Sequence, residues 1–181
     1  MSKMYFIALV APEEINRQVL EWKNFMKEHY GCVVALRSPA HITVIPPFWM
    51  NESSEQDLQN VLSKFSDQKK SFLILLKNFA AFKPRVIYVS VEVNEDLQKL
   101  QPELERSIIN EGSFPIKPGD RPFHPHVSIA TRDLHKKAFH EAWDIFKEKK
   151  YETNWKVNGI SLLRHNEKNW EVIFTSQFSN I

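Results

Sequence analysis

Strand-like segments follow one another directly at several points of this chain, and that order limits the folds it can adopt. Apolar residues at helical spacing predict four helices, which begin near Pro12, Ser53, Asn94 and Leu134. Because strands joined without a helix pair antiparallel, the order β-α-β-β-α-β-β-α-β-α-β-β favours an α+β or mixed fold with largely antiparallel sheets. The apolar and β-branched runs predict strands at Met4–Val10, Val33–Leu36, His41–Ile45, Phe72–Leu76, Val86–Val93, Val127–Ala130, Trp155–Leu163 and Trp170–Phe174.

Turn and capping residues indicate where these elements end. Pro46-Pro47 is expected to stop the strand that begins at His41, because proline cannot donate to a sheet ladder. Ser53 with Gln56 has the pattern of a capping box before the second helix, and Asn94 is expected to cap the third. The last two predicted strands are expected to form a closing hairpin.

Composition excludes several classes of protein. The 181 residues fit one domain, so we expect a single domain over 1–181. A net charge of +2 does not suggest binding to nucleic acid by bulk charge alone, although a local basic patch remains open. The single cysteine, Cys32, excludes an intrachain disulfide and suggests a reducing cytoplasm. The four glycines lie too far apart for a glycine-rich nucleotide loop.

The longest apolar run, Met4 to Ala11, is far shorter than the roughly 20 residues of a membrane helix. We therefore expect no membrane partner. We also expect a cytoplasmic location, in line with the single cysteine, and a monomer.

Two short segments repeat one pattern: a histidine, a β-branched residue, a hydroxyl residue and a further apolar residue. They are His41-Ile42-Thr43-Val44 and His126-Val127-Ser128-Ile129. In a strand, residues i and i+2 point to the same face, so each histidine shares a face with its hydroxyl while the apolar residues face a core. One such pattern arises often by chance, but two copies on predicted strands are more specific.

This pairing suits phosphate chemistry. Hydroxyls and an imidazolium donate hydrogen bonds to non-bridging phosphate oxygens, where negative charge is concentrated. Since imidazole has an unperturbed pKa of about 6.5, a neutral histidine can accept a proton while a protonated one donates to the leaving oxygen. We therefore predict that His41, Thr43, His126 and Ser128 are catalytic and that no cofactor or metal is needed.

The same residues give the chain a resemblance to the 2H phosphoesterase superfamily, which includes 2′-5′ RNA ligase-like proteins and cyclic phosphodiesterases. Members of that family carry two His-x-Thr/Ser motifs, which here lie at 41–43 and 126–128. The opening strand, the segment Arg85–Val89 and the segment Phe123–Ser128 also resemble family segments. Ser128 stands where threonine is common, and either residue supplies a hydroxyl.

The resemblance implies a bilobal fold. Two largely antiparallel sheets, related by pseudo-two-fold symmetry and with helices on the outside, would flank a central cleft. Each lobe would supply one motif, which brings His41 and His126 to opposite sides of one phosphate. The implied substrates are 2′,3′-cyclic phosphates or 2′-5′-linked RNA or nucleotides. By analogy His126 is the general base and His41 the general acid, although the near-symmetry permits the reverse.

Residues beside the motifs are candidates for substrate binding. We predict this role for Arg121, Phe123, His124 and Phe48, the aromatic side chains by stacking on a base. Other basic residues around the cleft segments are interpreted one by one as solvated surface: Lys83, Arg85, Lys117 and Arg132. The remaining histidines are assigned to the surface as well: His29, His135, His140 and His165.

Two other functions stay open at this point. A non-catalytic module that binds RNA ends or nucleotides could use the same cleft, and turnover of cyclic nucleotides would separate it from an enzyme. A metal-dependent hydrolase could use His41, His124 and His126, and a chelator would then abolish its activity.

Overall fold

The computed structural model describes residues 1–179, which form two four-stranded antiparallel sheets packed with helices. The strands are β1 (Ser2–Val10), β2 (His41–Asn51), β3 (Phe72–Phe82), β4 (Val86–Val91), β5 (His126–Ala130), β6 (Glu152–Val157), β7 (Gly159–His165) and β8 (Trp170–Gln177). The helices are α1 (Glu13–Tyr30), α2 (Glu55–Ser66), α3 (Glu95–Asn110) and α4 (Lys136–Phe146), with short 3₁₀ turns at Val34–Arg37 and Glu52–Ser54.

The two sheets have equivalent strand orders, β2-β1-β7-β8 and β5-β4-β3-β6. Helix α1 joins β1 to β2, and α3 joins β4 to β5 in the same way. The two motif strands, β2 and β5, therefore occupy equivalent edges of their sheets, and they contact each other. This arrangement confirms the predicted α+β architecture of two antiparallel sheets with pseudo-two-fold symmetry.

The helices interlock the two halves. Helix α1 packs against β5, the motif strand of the other sheet, and α3 packs against β2. Helix α1 buries Ile15, Val19 and Met26 along one stripe and ends at Gly31, whose φ of 70° lies in the left-handed region that glycine tolerates. One hydrophobic cluster joins residues of both sheets. None of the helices within residues 1–179 is both long and apolar enough to cross a membrane.

One predicted strand is wrong, and another is divided into two. The segment Val33–Leu36 forms a 3₁₀ turn instead of a strand, because the Asp133 carboxylate accepts hydrogen bonds from the backbone N–H of Val33 at 2.6 Å and of Val34 at 3.0 Å. The segment Trp155–Leu163 is divided at Asn158, since β6 pairs with β3 and β7 pairs with β1 in the other sheet. Both differences arise from partners distant in sequence, which a local pattern does not reveal.

Strand β2 also continues through Pro46-Pro47 to Asn51, contrary to the predicted stop. It is an edge strand, and its register with β1 shifts where the prolines lie, so their missing N–H groups interrupt little of the ladder.

The helix caps match the predictions only in part. Asn94 caps α3 as predicted, because its side chain accepts from the backbone N–H of Leu97 at 3.0 Å. The predicted capping box of Ser53 and Gln56 is wrong. Helix α2 begins at Glu55, so its N-cap residue is Ser54, and the Ser54 side chain makes no capping hydrogen bond. In α4 the buried residues are Phe139, Ala142 and Phe146, while Ile145 is 40% exposed.

Candidate active site

An open cavity of about 170 Å³ lies between the two motif strands. His41 and Thr43 of β2 line it from one sheet, and Ser128 of β5 lines it from the other. His126 lies two residues before Ser128 on β5, and its charge acts on the His41 ring. Three of the four predicted catalytic residues therefore line one cavity, and His126 lies beside it, close enough for its charge to lower the pKa of His41.

Both histidine rings are oriented by the same local hydrogen bond. The Nδ1–H of His41 donates to the Pro39 carbonyl at 2.7 Å, and the Nδ1–H of His126 donates to the His124 carbonyl at 2.7 Å. Because a carbonyl oxygen can only accept, the proton of each neutral ring is on Nδ1, and Nε2 is left as the acceptor. Each Nε2 is therefore available to take up or release a proton.

Burial makes both imidazoles weaker bases than a free histidine. Desolvation lowers the pKa of His41 to about 4; the Pro39 hydrogen bond opposes this shift, and the nearby charges of Lys23 and His126 add to it. Desolvation also lowers the pKa of His126; the hydrogen bond to the His124 carbonyl opposes this shift, and the charge of the His124 ring adds to it. Both rings are consequently neutral at pH 7 when the cavity holds no anion. A phosphate between them would oppose this effect, since an opposite charge favours the protonated ring.

Aromatic rings pack around both histidines, and the sequence analysis missed them. The Phe6 ring lies 4.9 Å from His41 and 4.6 Å from Trp170 on one sheet. On the other sheet, Phe82 and Tyr88 each lie 5.1 Å from His126. These rings desolvate the histidines and restrict their rotation.

Lys23 of α1 is a further residue of the cavity that sequence reasoning missed. It is 3% exposed, its ammonium donates to the Ser38 carbonyl at 2.9 Å, and burial lowers its pKa to about 8. No carboxylate within residues 1–179 forms an ion pair with it, and no Asp or Glu lines the cavity. Its place on the stripe between Val19 and Met26 is the signal that could have identified it as buried.

The four residues predicted to bind substrate do not line the cavity. The prediction that Phe48 binds substrate is wrong. Phe48 is buried and its ring stacks on Tyr5 at 6.0 Å, because β2 continues past the prolines and turns this side chain into the core. Phe123 packs partly buried against the core, and Arg121 is exposed in the loop before β5. His124 is exposed beside His126 and shares a hydrogen bond with the Tyr88 hydroxyl at 3.2 Å.

Among residues 1–179, no three His, Cys, Asp or Glu side chains converge closely enough to hold a metal ion.

Comparison of the sequence with known proteins gives two findings. Residues 11–169 match the family model of the 2′-5′ RNA ligase superfamily. The chain is 30% identical over 133 residues to an RNA 2′,3′-cyclic phosphodiesterase of Thermotoga maritima, a match that covers 68% of this chain and 67% of that protein.

Solved structures share the fold. E. coli LigT complexed with 3′-AMP superposes with a TM-score of 0.72 at 17% identity and covers 99% of both chains. A Thermus thermophilus protein superposes with a TM-score of 0.67 at 19% identity and covers 97% of both chains.

Proposed function

Since the chain belongs to the 2′-5′ RNA ligase superfamily, we propose that it is a metal-independent enzyme that opens 2′,3′-cyclic phosphates of nucleotides or RNA ends. It is a 2H phosphoesterase with a cyclic phosphodiesterase-like activity. The proposal that the enzyme opens cyclic phosphates without a metal rests on one observation. Two histidines are held in the same way, each with Nε2 available, on the two strands that flank one cavity.

In the proposed reaction, Nε2 of His126 takes a proton from water as the water oxygen bonds to phosphorus. The bond between phosphorus and one ribose oxygen breaks, and Nε2–H of His41 gives its proton to that oxygen. Thr43 and Ser128 donate hydrogen bonds to the non-bridging oxygens, and Lys23 supplies positive charge. The product is a phosphate monoester. When the reaction runs in reverse, microscopic reversibility exchanges the two proton roles.

The protonation of the histidine pair predicts an acidic optimum for kcat/KM. The reactive state of the enzyme carries one proton on the histidine pair, and this state is most populated between the two apparent pKa values of the pair. The pKa of His41 is about 4, and the pKa of His126 is also lowered. Above the ordinary histidine pKa of about 6.5 the pair in the free enzyme carries no proton to donate, and below about 4 it carries two and cannot accept one. Activity should therefore decline as the pH rises through 6 to 8.

A pH profile of kcat/KM from 3.5 to 8 measures this effect. The kcat profile should lie at higher pH, because bound phosphate raises the pKa of both rings. A kcat/KM that continues to increase above pH 7 would contradict the assignment of His41 and His126 as the acid–base pair.

A substrate panel tests the proposed function itself. We expect 2′,3′-cyclic nucleotides to be converted to monoesters, seen by phosphorus NMR, at the same rate with and without EDTA. A 3′-5′-linked dinucleotide, which has no cyclic phosphate, serves as the control substrate. Binding without turnover of any cyclic or 2′-5′-linked compound would instead indicate a nucleotide-binding module, and loss of activity in EDTA would indicate a metal-dependent hydrolase.

A further inference from the structure

A second groove, of about 570 Å³, opens beside the catalytic cavity. Thr131 and Arg132, which follow β5, line both the groove and the cavity, so the two spaces adjoin. The far wall of the groove is formed by Arg85, just before β4, and by His135 and Lys136 at the start of α4. A ligand group in this groove would lie next to whatever occupies the catalytic cavity.

The positive charge of this groove is not neutralised by the protein. No Asp or Glu lines it, and neither Arg85, Arg132 nor Lys136 takes part in an ion pair within residues 1–179. The carboxylate of Asp133 follows Arg132 directly, but its Oδ2 accepts from two backbone N–H groups at the 3₁₀ turn and its Oδ1 is buried and receives no hydrogen bond from Arg132. The three cationic side chains are exposed and available to an anion.

Helix stability does not account for this placement. Lys136 occupies the first turn of α4, where the helix dipole disfavours a cation. A positive charge at that position is instead suited to binding an anion in the groove.

We propose that this groove binds the sugar–phosphate backbone of the nucleotide next to the reacting cyclic phosphate, so that the preferred substrates are oligonucleotides rather than mononucleotides. This inference rests on the proposed function. Arginine suits the role because its planar guanidinium donates two hydrogen bonds to one phosphate. A cyclic mononucleotide has no second phosphodiester to reach Arg85 or Lys136, whereas a longer strand has one. Continuity with a cavity for phosphodiester chemistry favours a polynucleotide over an acidic protein segment.

The test compares a trinucleotide that ends in a 2′,3′-cyclic phosphate with the matching cyclic mononucleotide. For the wild-type protein we expect a higher kcat/KM on the trinucleotide. In the double variant Arg85→Ala/Lys136→Ala that preference should fall by roughly 10-fold or more, while kcat/KM on the mononucleotide is maintained. The salt dependence on the trinucleotide should also become shallower, by about 0.7 in the slope of log kcat/KM against log salt for each lost phosphate contact.

Lys64→Ala provides the matched control, because Lys64 is an exposed lysine on α2, outside the groove. It should leave the trinucleotide preference intact. Equal kcat/KM for both substrates in the wild type, or an equal loss on both in the double variant, would overturn the groove proposal and leave the proposed function standing. Turnover of neither substrate by the wild type would overturn the proposed function and, with it, this inference.

Discussion

Replacing His41 or His126 by alanine is expected to lower kcat on a 2′,3′-cyclic nucleotide by about 10²–10⁴-fold, the range typical of general acid–base groups. Each ring is held through Nδ1 so that Nε2 is free, and among residues 1–179 His41 is the one histidine that lines the cavity, with His126 beside it on the facing motif strand. The double variant should be little worse than either single variant, because both rings act in the same step. Steady-state kinetics of the three variants measures this.

His140→Ala is the appropriate control for the histidine variants. His140 is exposed on α4 and does not line the cavity, so its replacement should leave kcat unchanged. Thermal unfolding of each variant would show whether the fold persists, since His41 packs on Phe6. Full activity of either His41→Ala or His126→Ala in a folded protein would disprove the proposed mechanism.

Replacing Lys23 by methionine is expected to lower kcat/KM by about 10²-fold, which is the usual effect of removing one donor aimed at developing negative charge. Methionine has a similar length and suits a buried site, but it removes the positive charge that the cavity holds without a carboxylate partner. Inhibition by inorganic phosphate should weaken in parallel. The pKa of His41 in the free protein should rise, because the Lys23 charge contributes to lowering it.

Histidine NMR titration distinguishes this electrostatic role from a structural one. A lysine that merely ties α1 to the Ser38 carbonyl would, when replaced, change the unfolding temperature without changing the His41 pKa or phosphate inhibition. Lys27→Met is the matched control: Lys27 is exposed one helical turn further along α1 and does not line the cavity. If Lys23→Met and Lys27→Met behave alike in both measurements, the phosphate-binding role is wrong.

The strand period was sufficient to place the central residues of this site. Because alternate residues of a strand share a face, the sequence alone predicted that His41 lies with Thr43 and that His126 lies with Ser128. The structure adds the contact between β2 and β5 and the backbone carbonyls that orient the rings. Those partners depend on the path of the chain before each histidine, which the period does not encode.

Residue type alone was a poor guide to other parts of the site. Phe48 was assigned to substrate binding because it is aromatic and near a motif, yet its pairing with Tyr5 turns it into the core. Residue type argues against a buried Lys23, because lysines are rarely buried, and the packing of α1 against β5 brings it to the cavity. The 3₁₀ turn that lines the cavity depends on Asp133, about a hundred positions away.

The placement of both motifs on edge strands has a further consequence, for solubility. An open strand edge presents unpaired backbone groups and can recruit strands from other molecules, which leads to aggregation. Here the edges β2 and β5 lie against each other, and each is also packed by a helix that follows a strand of the opposite sheet. The contact that assembles the catalytic residues therefore also shields two adhesive edges.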